Sequence, residues 1–484
     1  MKTTGQSVLS NLIWKFAERC GAQIVQFIVS IVLARILAPE AYGTIALVLV
    51  FITILQVFVD SGLANALIQK KDADDVDFSS VFYFNVVWCI LLYFIIFFCA
   101  PFISNFYDDQ SLTSITRVLS LTVIISGLNN VQQAYVSKTL QFKKFFFATL
   151  TGTVSSAVVG IALAELGFGV WALVAQKIIN ILINTIVLWF TVKWRPKLVF
   201  SFSRLKHLVS YGWKLLASSL MDTVYNEIRQ LIIGKLYTES DLAYYNQGKQ
   251  FPNLIVTNIN SSIDSVLFPV MAYEQDDRTH MKNMVRRAIK TSTFIMAPVM
   301  LGLAFTADNI VELVLSEKWL PCVPYLRIFC ISFMFYPIHT ANLNAMKAMG
   351  RSDLFLKLEI VKKVVGFALL FATMNFGVLI MAYSLLASSL INQIINTWPN
   401  RKLLNYGYLE QLKDILPGIL LALFMGVCVS LISLIKLPLI LTLAIQVAAG
   451  AVIYILSAKF LKFDSYTYIL NIVRPFLEKI FKKK

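Results

Sequence analysis

Apolar residues run in blocks of roughly twenty along most of the chain, separated by short polar stretches. A helix needs about 20 mostly apolar residues to cross the hydrocarbon layer of a bilayer. About fourteen candidate spans meet that length. They lie near 12–34, 41–64, 79–104, 112–137, 144–165, 170–191, 208–234, 242–271, 286–306, 325–347, 354–375, 377–398, 415–435 and 439–461. The expected fold is therefore all-α, a polytopic membrane protein. Two further segments carry apolar residues on one side only. Glu274–Lys290 is short and charged on its other face. The tail places Ile469, Leu470, Val473, Phe476, Leu477, Ile480 and Phe481 at helical spacing before Lys482-Lys483-Lys484. Both are expected to lie on the membrane surface, as amphipathic helices with basic residues do.

The pattern repeats after about 200 residues. Trp14-Lys15 opens one span and Trp213-Lys214 another. Ala34-Arg35-Ile36 recurs as Gly234-Lys235-Leu236, and Ala41-Tyr42 as Ala243-Tyr244. Arg117 recurs as Arg327, Lys138 as Lys347, and Phe168-Gly169-Val170 as Phe376-Gly377-Val378. Repeats of this size in an apolar chain point to a transporter with two lobes. The division expected is 1–200 for spans 1–6 and 201–400 for spans 7–12. Residues 401–463 add two spans without a repeat partner, and 464–484 form the basic tail.

Composition agrees with a membrane protein. Hydrophobic residues make up 58% and charged residues 14%, with mean hydropathy +0.71. A soluble domain carries roughly a quarter charged residues; a membrane protein carries fewer, because charge in lipid is costly. The net charge of +16 does not point to nucleic acid, since the basic residues sit between the apolar blocks. With the N-terminus inside, the inner loops gather Lys70, Lys71, Lys138, Lys193, Arg195, Lys197, Arg204, Arg278, Lys282, Arg351 and Arg401, among others. The outer loops hold only Arg35, Lys235, Lys318 and Lys436. The positive-inside rule then places both termini in the cytoplasm. No cleavable signal peptide is expected, the first span serving as its own insertion signal. Six scattered cysteines without a CxxC pair, and three distant histidines, suggest neither disulfide nor metal.

Polar residues inside spans are the candidate functional residues. Span 7 carries Lys214, Ser218, Asp222, Tyr225 and Arg229 on one face, within about 80° on the helical wheel. Span 1 repeats the spacing with Lys15, Arg19, Gln23, Gln26 and Ser30. Span 8 uses it again with Lys249, Asn253, Thr257, Asn260 and Asp264. Lys177 lies two turns into span 6, with Asn180 and Asn184 on nearly the same face. These stripes suggest a hydrated cavity walled by spans 1, 7 and 8; the competing reading is polar contact between packed helices. Bases outnumber acids along the stripes, which favours an anionic group such as a diphosphate. Amides, hydroxyls and Tyr225 suit sugar hydroxyls. Arg117 and Arg327 are explained by snorkelling to the outer interface, and Glu227, on the opposite face of span 7, by structural pairing. No nucleotide motif or cofactor motif is present, and no connection is large enough for a catalytic domain. Asp222 and Asp264 are candidates for H⁺ or Na⁺ coupling, against a role in balancing nearby bases.

Several motifs carry a resemblance. Leu33-Ala34-Arg35-Ile36-Leu37-Ala38-Pro39-Glu40-Ala41-Tyr42-Gly43 resembles the junction between spans 1 and 2 of polysaccharide flippases. So does Val59-Asp60-Ser61-Gly62-Leu63, followed by Ala66-Leu67-Ile68-Gln69-Lys70-Lys71. Glu317-Lys318-Trp319-Leu320-Pro321 and Ala345-Met346-Lys347-Ala348-Met349-Gly350-Arg351-Ser352-Asp353 resemble the loops after spans 9 and 10. The likeness runs from about 5 to 410 and is to the Wzx-type lipid-linked oligosaccharide flippases, close to the colanic-acid exporters, within the multidrug/oligosaccharidyl-lipid/polysaccharide exporter superfamily. It implies translocation of an undecaprenyl-diphosphate oligosaccharide to the outer leaflet of a bacterial cytoplasmic membrane by alternating access. The implied partners are that substrate and membrane lipids, with a polysaccharide polymerase and glycosyltransferases as candidate pathway partners. The motifs are junction motifs and assign no substrate residue. The alternative is an ion-coupled antiporter for drugs or metabolites from the same superfamily; a membrane enzyme is disfavoured by the short outer loops.

Overall fold

The computed structural model describes the backbone of residues 5–481 apart from 61, 71, 275, 276 and 436. Side chains of 5–13, 15–20, 211, 214, 265, 266, 352, 472, 473 and 475–481 lie outside the described set. The described chain is helical and divides into two compact units, Met1–Ala243 and Tyr244–Lys484.

The first unit holds α1 (Gly5–Ile36), α2 (Pro39–Asp60), α3 (Leu63–Gln69), α4 (Asp75–Tyr107), α5 (Ser111–Leu119), α6 (Leu121–Lys138), α7 (Phe142–Glu165), α8 (Val170–Thr191) and α9 (Phe202–Leu236). It also contains the first turn of α10 (Glu239–Tyr273). The second unit holds the rest of α10, then α11 (Arg278–Phe305), α12 (Ala307–Val314), the 3₁₀ turn η1 (Glu317–Cys322), α13 (Val323–Met334) and α14 (Tyr336–Ala348). It ends with α15 (Ser352–Thr373), α16 (Val378–Leu403), α17 (Tyr408–Ile432), α18 (Leu439–Phe460) and α19 (Asp464–Phe481).

Among the described residues, eleven helical segments are long and apolar enough to cross a membrane. Of the fourteen expected spans, those on α1, α9 and α15 are not among the eleven. α9 and α15 carry several charges, for example Lys357, Glu359, Lys362 and Lys363 on α15, while the described apolar part of α1, Gly21–Ile36, is shorter than a full span. Two expected spans are broken: 112–137 at Ser120 between α5 and α6, and 325–347 at Phe335 between α13 and α14, just before Pro337. Glu274–Lys290 is not a separate surface helix. Residues from Arg278 onward run without a break into the span, as one helix of 28 residues. At 1.5 Å per residue its length is about 42 Å, enough for the hydrocarbon layer and a headgroup region.

The repeat is visible as a bond made twice. Arg117 Nε donates to the Phe97 carbonyl at 3.2 Å, and Arg327 Nε to the Ala304 carbonyl at 3.2 Å. Each carbonyl lacks its helical partner for a local reason. Phe97 would accept from residue 101, but Pro101 has no N–H. Ala304 lies in the last turn of α11, where carbonyls lose their partners. The two arginines thus satisfy partly buried backbone carbonyls.

Local chemistry sets the junctions. Gly62 caps α3 at φ +69, and a Cβ there would lie 2.7 Å from the Gly212 carbonyl oxygen. Asp74 caps α4 in a capping box with Asp77. Around that cap Lys70 pairs with Asp77 and Arg204 with Asp74, each at 2.6 Å. The Arg204 guanidinium holds the Asp74 carboxyl down to about 2. In the first unit α7 packs along α1 and α8, and α6 along α4 and α8. In the second, α11 packs on α17, α13 and α14. There a buried network joins three helices. Asn342 Nδ2 donates to Gln411 Oε1 at 3.0 Å, and Gln411 Nε2 returns a bond to Asn342 Oδ1 at 2.9 Å. Asn400 Nδ2 adds a third at 2.7 Å to Asn342 Oδ1. This network ties α17, one of the two helices without a repeat partner, to α14 and α16.

Candidate functional site

The charged stripes spread into different environments. The side chains of Lys15, Arg19 and Lys214 lie outside the described residues. On α1 Gln23 is half-buried and Gln26 exposed. On α9 Asp222 is exposed, Tyr225 half-buried and Arg229 buried. Gln230, on the same helix, donates a hydrogen bond to Glu227. Lys177 on α8 is exposed. On α10 Lys249 is half-buried and Asn253 exposed. Two residues of the α10 stripe make contacts between packed helices. Asn260 Oδ1 accepts from Thr340 Oγ1 at 2.8 Å, and Asp264 Oδ1 from Asn344 Nδ2 at 2.9 Å.

A different constellation forms a cleft inside the first unit. On α6, Ser126, Asn129, Asn130, Gln133 and Ser137 recur at offsets 0, 3, 4, 7 and 11, a spacing that puts them on one face. Gln56 and Asp60 stand one turn apart on α2, Asn180 and Asn184 one turn apart on α8, and Asn65 on α3. All of them line a cleft of about 570 Å³. Its rim is knitted by amides. Asn129 Nδ2 donates to Asn184 Oδ1 at 3.1 Å, and Asn130 Nδ2 to Asp60 Oδ1 at 3.2 Å. Gln56 Nε2 reaches the same carboxylate oxygen at 3.3 Å, and Asn180 Nδ2 bonds Ser156 Oγ at 3.3 Å. Two buried atoms of the wall, Ser126 Oγ and Asn129 Oδ1, have no partner among the described residues.

The chemistry of this wall differs from that of the stripes. Among the described residues no lysine or arginine lines it, and Asp60 is the single ionisable group. A carboxamide offers two donors and an acceptor from one side chain. A sugar ring presents hydroxyls that donate and accept around its edge, so the two surfaces are complementary. Among the described residues a diphosphate would find no cation there. None of the described sequence-derived candidates lines this cleft, but Asn180 and Asn184, on nearly the same face of α8 as Lys177, do. The signal was the run Asn129-Asn130-Val131-Gln132-Gln133 followed by Ser137 inside an apolar span. It is easily passed over, because amides carry no formal charge.

The chain matches the protein family described as polysaccharide biosynthesis protein over residues 32–324. It is 26% identical to the teichuronic acid biosynthesis protein TuaB of Bacillus subtilis (strain 168), covering 83% of this chain and 84% of that one. It is 25% identical to the lipopolysaccharide biosynthesis protein WzxC of Escherichia coli (strain K12), over 76% of this chain and 74% of that one. Its fold is that of the lipid II flippase MurJ in an inward closed conformation. The TM-score is 0.73 at 18% identity, over 93% of this chain and 99% of MurJ. An all-helical chain of repeated apolar spans, matched over more than half its length, belongs to the polysaccharide biosynthesis protein family of membrane proteins.

Proposed function

We propose that this chain is a flippase for an undecaprenyl-diphosphate-linked oligosaccharide. It moves the glycan from the inner to the outer leaflet of the bacterial cytoplasmic membrane by alternating access, for cell-surface polysaccharide synthesis. The observation that carries the reading is the carboxamide-lined cleft of α2, α3, α6 and α8. A pump for hydrophobic cations needs aromatic or acidic walls, whereas this wall suits hydroxyls. Family membership and the MurJ-like fold support the same reading. Both termini are placed in the cytoplasm by the positive-inside rule. Coupling to H⁺ or Na⁺ through Asp222 or Asp264 is part of the proposal.

Proteoliposomes loaded with fluorescent undecaprenyl-diphosphate oligosaccharide test it. The wild type should expose the label to an external quencher or glycosidase, and Asn129→Leu/Gln133→Leu should do so more slowly. Loss of one neutral hydrogen bond is worth about 0.5–1.5 kcal/mol, so two should slow transport about five-fold or more. Export of a cationic dye with no movement of the glycolipid would overturn the assignment. Topology is tested by labelling cysteines in intact cells: Lys318→Cys should react from outside and Lys197→Cys should not.

A further inference from the structure

A second cleft, in the other unit, has the opposite character. It is about 1210 Å³ and runs between α10 and α11, with the start of α19 beside it. One wall is apolar, with Ile263 and Leu267 of α10 facing Met284 and Ala288 of α11. The other feature is positive charge. From Arg278 to Lys290 α11 carries five basic residues and no acid.

Those bases divide by helical face. Lys282, Arg286 and Lys290, four residues apart, pair with carboxylates of α17 and α19, and Arg286, Lys290 and Asp464 line the cleft as already paired groups. Arg286 Nε lies 2.8 Å from Asp414, Lys282 3.1 Å from Glu410, and Lys290 3.7 Å from both Asp414 and Asp464. Arg287 points elsewhere. It is exposed and pairs with no carboxylate among the described residues. Its guanidinium carbon sits 5.0 Å from the centroid of the Tyr468 ring on α19, which holds it over the cleft. His280 lies two turns before it on the same face and lines the same space.

Position adds the third element. α10 has 35 residues and α11 28, so both exceed the roughly 20 that span hydrocarbon. The turn joining them, and the start of α19 after α18, therefore stand at a membrane edge, where lipid phosphates lie. A fixed guanidinium above an apolar crevice at that level fits a phosphodiester with acyl chains below it.

We propose that this cleft binds the headgroup of an anionic phospholipid, with Arg287 as its phosphate contact and Tyr468 positioning Arg287. The site is separate from the carboxamide cleft and independent of which glycan the protein carries. Its occupant is a lipid of the bulk membrane.

Full-length protein, purified and stripped of lipid, is titrated in detergent with phosphatidylglycerol or with phosphatidylcholine of the same acyl chains. Native mass spectrometry counts bound lipid, and thermal unfolding reads stabilisation. Phosphatidylglycerol should bind more tightly than phosphatidylcholine, because both offer the phosphate but the choline cation of phosphatidylcholine offsets its charge and repels Arg287. Arg287→Gln should erase that preference, and Tyr468→Leu should reduce it, while Lys402→Gln leaves it intact. Arg287 and Tyr468 are both exposed, so these variants should fold. Equal binding of the two lipids, or a preference that survives Arg287→Gln, overturns the proposal. So does undecaprenyl diphosphate displacing phosphatidylglycerol at a far lower concentration, which would make the cleft a substrate site.

Discussion

Replacing Asn342 with leucine should destabilise the second unit by about 2–4 kcal/mol, and by more than replacing Gln411. The asymmetry follows from who is left without a partner. Asn342→Leu removes both reciprocal bonds to Gln411 and the acceptor used by Asn400. Such bonds are worth about 0.5–1.5 kcal/mol each in general, and nearer 0.6 in membrane bundles. The larger effect is the orphan. Asn342 is the only described partner of Gln411 Nε2, and Gln411 is fully buried at 0% exposure. A buried donor left alone costs about 1–3 kcal/mol. Gln411→Leu creates no such orphan. Asn342 Nδ2 keeps the Ile338 carbonyl at 3.0 Å, Asn342 Oδ1 keeps Asn400, and Thr397 keeps the Gln393 carbonyl at 2.7 Å. That variant should lose about 1–2 kcal/mol. Thermal or denaturant unfolding of the two purified variants, followed by tryptophan fluorescence, measures the difference. Equal losses, or a greater loss for Gln411→Leu, would refute the accounting of partners.

Other consequences are as direct. Arg117→Gln should lower stability by about 1–3 kcal/mol by orphaning the Phe97 carbonyl, and much less in a Pro101→Ala background, where the helix supplies its own N–H; additive losses would sink that explanation. A Cβ at Gly43 would lie 2.0 Å from the Glu239 carbonyl oxygen, so Gly43→Ala should cost about 1–3 kcal/mol and unfold at a lower temperature than wild type; unchanged unfolding would show that α2 and the start of α10 can part freely. Arg204 holds Asp74 near 2 against an ordinary 3.8, so the cap contributes stability above pH 3.8 and loses it as pH falls toward 2. The stability gap between wild type and Asp74→Asn should therefore close over that interval, and a gap independent of pH would remove the ion pair from the account.

Much of the architecture can be read from the residues, and less of the site. The apolar blocks locate the long helices because lipid demands continuous hydrophobic length. They do not reveal the breaks at Ser120 and Phe335, because hydrophobicity continues across each break while only backbone geometry changes. Glu274–Lys290 reads as a surface segment because its charge hides that the helix continues past Lys290. The α10 stripe is real as a face, yet Asn260 and Asp264 use it to bond Thr340 and Asn344; spacing shows which residues share a side but not what stands opposite. The carboxamide cleft is hidden in the sequence for a related reason. Its residues come from four helices, and only their packing brings Gln56, Asn129 and Asn184 to one place.

That cleft has an electrical consequence. A charge carried across the membrane potential gains or loses about 2.3 kcal/mol per 100 mV. Carboxamides carry none at any pH, and Asp60 is the sole ionisable group in the wall among the described residues. If this wall turns from one face of the membrane to the other, it moves almost no charge of its own. Any voltage dependence of the transport cycle would then have to come from charges outside this wall, such as those of a phosphate-bearing cargo or of an ion that moves with it.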